Sequence, residues 1–279
     1  DLPGENLPPF TREWTLGVRP AYPALLKHYR AVLKDQPWSL PAGALDQFDS
    51  AGREALLSLS SRPPLNLGAQ INALKAYPYG CLEQTASGLY PSLYADDALL
   101  KRLGVKGEPD AERKRKIELG IERLLGMQRY NGSFGLWGAD GEEEYWLTAY
   151  VTDFLLRALQ EGVSGLPTGK PSYNADAIWQ DRRYAGSGRF GVLAYGAYVL
   201  ARESKAPLAT LRQLYELRAQ AHSGLALVQL GIALKLMGDD ARATTAIAEG
   251  IAKPRDAGPW WGDYGSPLRD AALSYALLQ

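Results

Sequence analysis

Apolar positions along the chain follow two different rhythms. Before residue 62 they come in short runs broken by Pro3, Pro8, Pro9, Pro20, Pro23, Pro37 and Pro41. Two of these runs, Glu13 to Arg19 and Arg53 to Ser60, read as strands, the second with helix-favouring residues as well. Ala24 to Lys34 reads as a helical turn or a loop. Arg62-Pro63-Pro64 closes the stretch, because two prolines stop a strand and forbid an immediate helix. Beyond it the rhythm is helical. Leu67 to Ala76, Gln84 to Leu93 and Ala111 to Met127 are candidate helices, the last with Ile117, Ile121, Leu124 and Leu125 at helical spacing.

A weak internal repeat follows. Trp146 to Leu159, Gly191 to Arg202, Gly224 to Met237 and Leu268 to Leu278 are each rich in Ala, Leu and Tyr, and each follows a turn containing Gly or aromatic residues. Their starts lie roughly 30 to 45 residues apart, the scale of helix-pair repeats. Shorter helices, Pro207 to Ala221 and Asp240 to Ala252, fall between them. Small residues such as Ala149, Ala194, Gly196, Ala226 and Gly231 let helices approach closely. The expected fold is mainly α: residues 63–279 as an α/α toroid of helical hairpins, preceded over 1–62 by a small, partial β region and linker. Ala271 to Gln279 reads as a helix interior with no cap following, which implies a toroid cut short and a piece of a longer protein.

Composition narrows the function. Lys+Arg and Asp+Glu both number 31, so the net charge is zero and no field steers nucleic acid or an anionic membrane toward the chain. No apolar run is long enough to span a bilayer, so membrane insertion is not expected. One cysteine excludes a disulfide framework, and with only His28 and His222 as histidines neither a metal nor any other cofactor is expected. The run Glu112-Arg113-Lys114-Arg115-Lys116 reads as a solvated helix face.

Candidate chemistry concentrates in Tyr77-Pro78-Tyr79-Gly80-Cys81-Leu82-Glu83-Gln84. A thiol and a side-chain amide at i and i+3 can meet across one tight turn. If the Cys81 sulfur attacks the Gln84 amide carbon and ammonia leaves, the product is an internal thioester. That acyl group can pass to an amine, a hydroxyl or water, with the Cys81 thiolate leaving. The bond survives only where water is kept out, and Tyr77 and Tyr79 are candidate shields. Tyr90 and Tyr94 follow on the next helix. Gly80 suits an unusual backbone angle or a close approach. Glu83 either stabilises the first turn of the helix or moves a proton when the bond forms or opens, and the structural role is preferred.

The octapeptide resembles the thioester motif of the alpha-2-macroglobulin and complement family, Gly-Cys-x-Glu-Gln. Its Tyr-Pro-Tyr lead and Thr85-Ala86-Ser87 tail are most similar to the bacterial alpha-2-macroglobulins. Gln128-Arg129-Tyr130-Asn131-Gly132-Ser133-Phe134-Gly135-Leu136-Trp137 and Trp146-Leu147-Thr148-Ala149-Tyr150-Val151 resemble two further family segments. The resemblance implies a single-use covalent trap rather than a turnover enzyme: an endopeptidase inhibitor whose thioester captures attacking proteases through their lysine amines. It implies neighbouring domains in the parent chain, and a CUB-like β-domain whose first part is 1–62. It implies a periplasmic location, with the parent often lipid-anchored at a distant N-terminus. Some family members relay the acyl group through a later histidine. None lies between Leu166 and Phe190, so direct attack by amines is expected, and His222 reads as a surface or capping residue.

Two other readings stay open. An enzyme on the same ring, terpene cyclase-like or glycosidase-like, would need clustered acids. Asp96-Asp97 and Asp239-Asp240 are the only Asp-Asp pairs, and Glu142-Glu143-Glu144 looks like an exposed loop. A passive helical scaffold would simply bury Cys81.

Overall fold

The computed structural model describes residues 11–15, 25–35, 37–50, 52–55, 57, 59, 61, 67–75, 80–163, 187–258 and 262–279. The chain divides into two compact units, Asp1–Arg62 and Pro63–Gln279. The described residues of the first unit contain turns over 42–47 and no strand. The strands expected over 13–19 and 53–60 fall partly outside the described residues, and their described parts carry no ladder. A strand needs a neighbour for its backbone groups, and none is present among the described residues of this unit.

The second unit is helical. Its helices are α1 Leu67–Lys75, α2 Leu82–Tyr94, α3 Asp97–Arg102, α4 Asp110–Leu125, α5 Tyr145–Gln160, α6 Ser187–Arg202, α7 Leu208–Glu216, α8 Gly224–Leu236, α9 Asp240–Ala252 and α10 Pro267–Leu277. The expected helix over 207–221 is broken: α7 ends at Glu216 and a 3-10 turn, Arg218–Gln220, follows. The short α3 escapes the apolar rhythm because six residues hold less than two full turns; Asp96 caps it, accepting from the Leu99 amide at 2.8 Å.

Two kinds of helix explain the architecture. α5, α6 and α8 are buried nearly all round, whereas α4, α7 and α9 bury one stripe each: Ile117, Ile121 and Leu124; Leu211 and Leu214; Ala243, Ala246 and Gly250. A helix apolar on every face belongs inside, and a single stripe marks an outer helix. The packing follows: α2, α5, α6, α8 and α10 form a continuous row, α4 lies on α2, α7 on α6 and α8, and α9 along α8. This is the arrangement of an α/α toroid. Glycine sets its tightest contact, between α8 and α9. A methyl on Gly224 would stand 2.1 Å from the Gly250 carbonyl oxygen, and one on Gly250 would stand 2.8 Å from that of Gly224.

Between α4 and α5 the chain makes a compact turn that positions the site. Gly132 takes a φ of 86°, a left-handed angle that suits glycine. Asn131 Oδ1 accepts from the Ser133 amide and hydroxyl, at 3.2 and 2.7 Å. Isolated antiparallel bridges pair Gln128 with Phe134 and Gly135 with Glu143. Phe134 is fully buried, and its amide donates to Thr148 Oγ1 of α5 at 3.0 Å. Glu143, expected in an exposed loop, is buried here, with Asn131 Nδ2 donating to its Oε2 at 3.3 Å.

Candidate functional site

Cys81 stands at the N-cap of α2 with extended backbone (φ −71°, ψ 169°), and its carbonyl accepts the first helical bond, from Thr85 at 2.9 Å. Leu82, Glu83 and Gln84 are therefore the first three helical residues. N-cap and third position are the pair whose side chains meet in a capping box, where Ser or Thr faces Glu or Gln. Here the pair is Cys and Gln. The Cys81 thiol, buried and free, makes no capping hydrogen bond. The Gln84 side-chain oxygen is buried and has no hydrogen-bond partner among the described residues. Cys81 and Gln84 thus occupy the N-cap and third positions of one helical turn.

Two contacts fix the entrance of α2. The amide of Leu82, one of the orphan donors at a helix start, donates to the carbonyl of Leu136 at 2.9 Å. That carbonyl belongs to the Asn131–Trp137 turn, so the second segment singled out in the sequence buttresses the first. On the other side Arg123 of α4 donates to the Gly80 carbonyl at 2.9 Å. Gly80 serves close approach rather than an unusual φ: it is not among the glycines of positive φ, but a methyl there would stand 1.8 Å from the Arg123 guanidinium.

Glu83 projects toward α5. Ser87 donates to Glu83 Oε1 at 2.7 Å, and the Ser87 oxygen lies 3.1 Å from the Tyr150 hydroxyl. Tyr150 stacks on Tyr90 (ring centres 5.0 Å apart) and on Trp146 (5.1 Å). Burial pushes the Tyr150 hydroxyl up to about 12, against the hydrogen bond with Ser87 and with help from the Glu83 and Asp153 carboxylates. Burial raises Tyr90 and Tyr195 well above the usual phenol value too, each reinforced by Asp153. Asp153 is buried and accepts from Tyr195 at 3.0 Å, from Arg157 at 3.0 Å and from Arg202. Nothing in the apolar rhythm distinguishes Asp153; its position in the middle of an otherwise buried helix is the one signal the sequence carries.

The structure thus brings Cys81, Glu83 and Gln84 onto one helical turn. Tyr77 and Tyr79 lie outside the described residues. Tyr90 packs against α5, and Tyr94 is half exposed. His222 corrects its expectation as a surface residue: it is completely buried, and its Nε2 lies 3.0 Å from Asp263 Oδ2. A carboxylate can only accept, so Nε2 carries the proton. Arg255 and Arg269 complete that cluster around Asp263 and Asp270. The Asp-Asp pairs weighed for an enzyme are helix caps: Asp96 caps α3, and Asp239 accepts from Arg212, at 2.7 Å, and Arg242 at the start of α9. Among the described residues no group of three His, Cys, Asp or Glu is placed to hold a metal ion.

Comparison with known proteins agrees with this geometry. The family model described as the A-macroglobulin TED domain matches residues 58–174. Alpha-2-macroglobulin of Escherichia coli K12 is 49% identical over 292 aligned residues, which cover 100% of this chain and 18% of that protein. A Xylella fastidiosa alpha-2-macroglobulin is 36% identical, over 96% of this chain and 17% of its own length. Among solved structures, native E. coli alpha-2-macroglobulin superposes with a TM-score of 0.75 at 47% identity, covering 86% of this chain and 16% of that one. Salmonella alpha-2-macroglobulin reacted with methylamine gives 0.72 at 48% identity, over 78% of this chain and 15% of that one. The chain therefore spans less than a fifth of the length of these relatives. With the family model, the sequence identity along the whole chain and the helical fold in agreement, the chain belongs to the bacterial alpha-2-macroglobulin family and corresponds to its thioester-domain region.

Proposed function

We propose that this chain is the reactive module of a bacterial protease inhibitor and that Cys81 and Gln84 form an internal thioester. The observation that carries the reading is the Cys-Gln pair at the N-cap and third positions of α2, with the Gln84 oxygen buried and unbonded. A buried amide oxygen without a donor costs about 1–3 kcal/mol. A thioester carbonyl is a weaker acceptor than an amide carbonyl, so crosslinking lowers that cost. In forming the bond Sγ joins Cδ, Cδ separates from Nε2, and the thiol proton leaves with the nitrogen as ammonia. In capture, a lysine amine of the protease bonds to Cδ and the Cys81 thiol is released. Each chain reacts once. Methylamine, with which the Salmonella relative was reacted, is a small amine of the same kind.

Neighbouring domains of the parent protein supply the trigger and the remaining cover in this reading, with Tyr77 and Tyr79 as shields. The parent acts in the periplasm, held by a lipid anchor outside this chain, and cell fractionation tests that location. No helix among the described residues is long and apolar enough to cross a membrane.

Intact mass of the freshly isolated parent protein tests the chemistry. The expected result is a deficit of one ammonia, and one thiol unmasked by methylamine. Cys81→Ala abolishes both, along with covalent protease adducts. Full sequence mass together with no thiol released by amines refutes the crosslink. Labelling by glycerol as efficient as that by methylamine refutes direct amine preference.

A further inference from the structure

The inference concerns Glu83 and rests on the crosslink reading. Ser87 donates to Glu83 Oε1 at 2.7 Å and sits 3.1 Å from the Tyr150 hydroxyl. A serine hydroxyl has a single hydrogen. Glu83 receives it, so Tyr150 must donate to Ser87. The polarity of the chain is thereby set: Tyr150 O–H to Ser87 Oγ–H to Glu83 Oε1. Burial keeps Tyr150 protonated, hence a donor, through the neutral range. Its ring stacks on both Tyr90 and Trp146. Trp146 is itself covered by the Tyr264 ring at 5.0 Å and the Arg269 guanidinium at 5.8 Å.

A glutamate that merely favours a helix start needs none of this. The second helical position profits from the helix dipole when freely solvated. Here a directed chain from Tyr150 through Ser87 ends on one carboxylate, in the same turn as Cys81 and Gln84. We propose that Ser87 and Tyr150 are positioning residues that hold the Glu83 carboxylate as the proton carrier for the Cys81–Gln84 bond. On formation Glu83 takes the Sγ–H proton as Sγ bonds to Cδ, and delivers it to Nε2, which departs as ammonia. On capture it takes the proton of the attacking amine as nitrogen bonds to Cδ, and returns it to the leaving sulfur. Among the described residues, the charged and titratable groups around the relay include Asp153 and Tyr90 beyond Tyr150, Arg269 of α10 beyond Trp146, and Arg123 of α4 at the Gly80 carbonyl.

The test uses the full-length parent protein with Glu83→Gln, Tyr150→Phe, Ser87→Ala and Ser87→Thr. Intact mass reads bond formation, and methylamine-driven thiol release, expressed per free amine across the acid and neutral range, reads opening. Glu83→Gln is expected to slow opening about 10²-fold and to flatten its pH profile. Tyr150→Phe and Ser87→Ala slow it about tenfold and displace the acid limb, while Ser87→Thr, which keeps the hydroxyl, restores the wild-type profile. A purely structural role would lower thermal stability and leave the pH profile superimposable. Unchanged rates and profiles in both Tyr150→Phe and Ser87→Ala overturn the proposal. If Tyr150→Phe fails to fold, the Ser87 Ala/Thr pair decides alone. Failure of the crosslink reading is separate, because it appears in the unaltered protein as an absent ammonia deficit.

Discussion

Replacing Arg255 by methionine should destabilise the helical unit by about 3–5 kcal/mol, because it breaks a buried ionic cluster by removing one member. Arg255 donates two parallel bonds to Asp263, at 3.0 and 2.6 Å, and a third to Asp270 at 2.8 Å. Its side chain is 8% exposed, and those of the aspartates 6% and 8%. Three charge-assisted bonds at about 1.5–3 kcal/mol each set an upper bound of roughly 4.5–9 kcal/mol. Arg269 still holds Asp270, at 3.0 Å, and His222 still holds Asp263, which brings the expected loss back to the range for a broken buried pair. The assay is urea unfolding followed by helical circular dichroism. The midpoint should fall with an unchanged slope, the mark of a stability change alone. The same cluster gives a pH signature. Burial alone would raise the Asp263 carboxyl, but hydrogen bonds from His222 and Arg255, with both arginine charges, outweigh it and hold it far below the usual carboxylate range. A carboxyl depressed on folding contributes stability above its unfolded value, about 3.9, and that contribution is lost as the pH falls below it toward the folded value. Asp263→Asn should therefore lose stability at neutral pH and show a shallower decline on acidification than the wild type. A loss below about 1 kcal/mol for Arg255→Met, the level of an exposed pair, would refute the assignment of the cluster as a buried clasp.

Other outcomes follow from the packing. Gly250→Ala should cost about 1–3 kcal/mol of overpacking, read as a lower urea midpoint, since its methyl would meet the Gly224 carbonyl at 2.8 Å and Val228 at 2.9 Å; an unchanged midpoint would show that α8 and α9 can part freely. Phe134→Ala should cost about 3–5 kcal/mol and, where the proposed crosslink is formed, speed its hydrolysis, read as free thiol appearing without added amine. Asp153→Ala, which strands Arg157 and Arg202 beside a buried Tyr195, should cost about 3–5 kcal/mol and is checked by thermal melting. Spectrophotometric titration of the phenols should show one group near 12 that disappears in Tyr150→Phe.

Much of the fold was legible because burial on every face leaves a plain mark. α5 and α8 read as helices from their unbroken apolar content, and the Arg62-Pro63-Pro64 break coincides with the division between the two compact units. The shared helical turn of Cys81 and Gln84 was legible because their spacing is local, three residues. Long-range pairings were not. Ser87 and Tyr150 lie 63 residues apart, and His222 and Asp263 41 apart. No periodicity within a helix announces such partners, so a histidine that looks like a surface residue proves to be completely buried. Glu143 illustrates the same limit: in a run of three glutamates, only the turn geometry shows which one faces inward.

The bond from the Leu82 amide to the Leu136 carbonyl has a practical corollary. It ties the start of α2 to a hairpin whose tip displays Trp137, 70% exposed. One backbone amide proton therefore reports whether that hairpin is seated. Deuterium uptake at Leu82 in the parent protein would register any loosening of that seat, independently of the chemistry at Cys81 and Gln84.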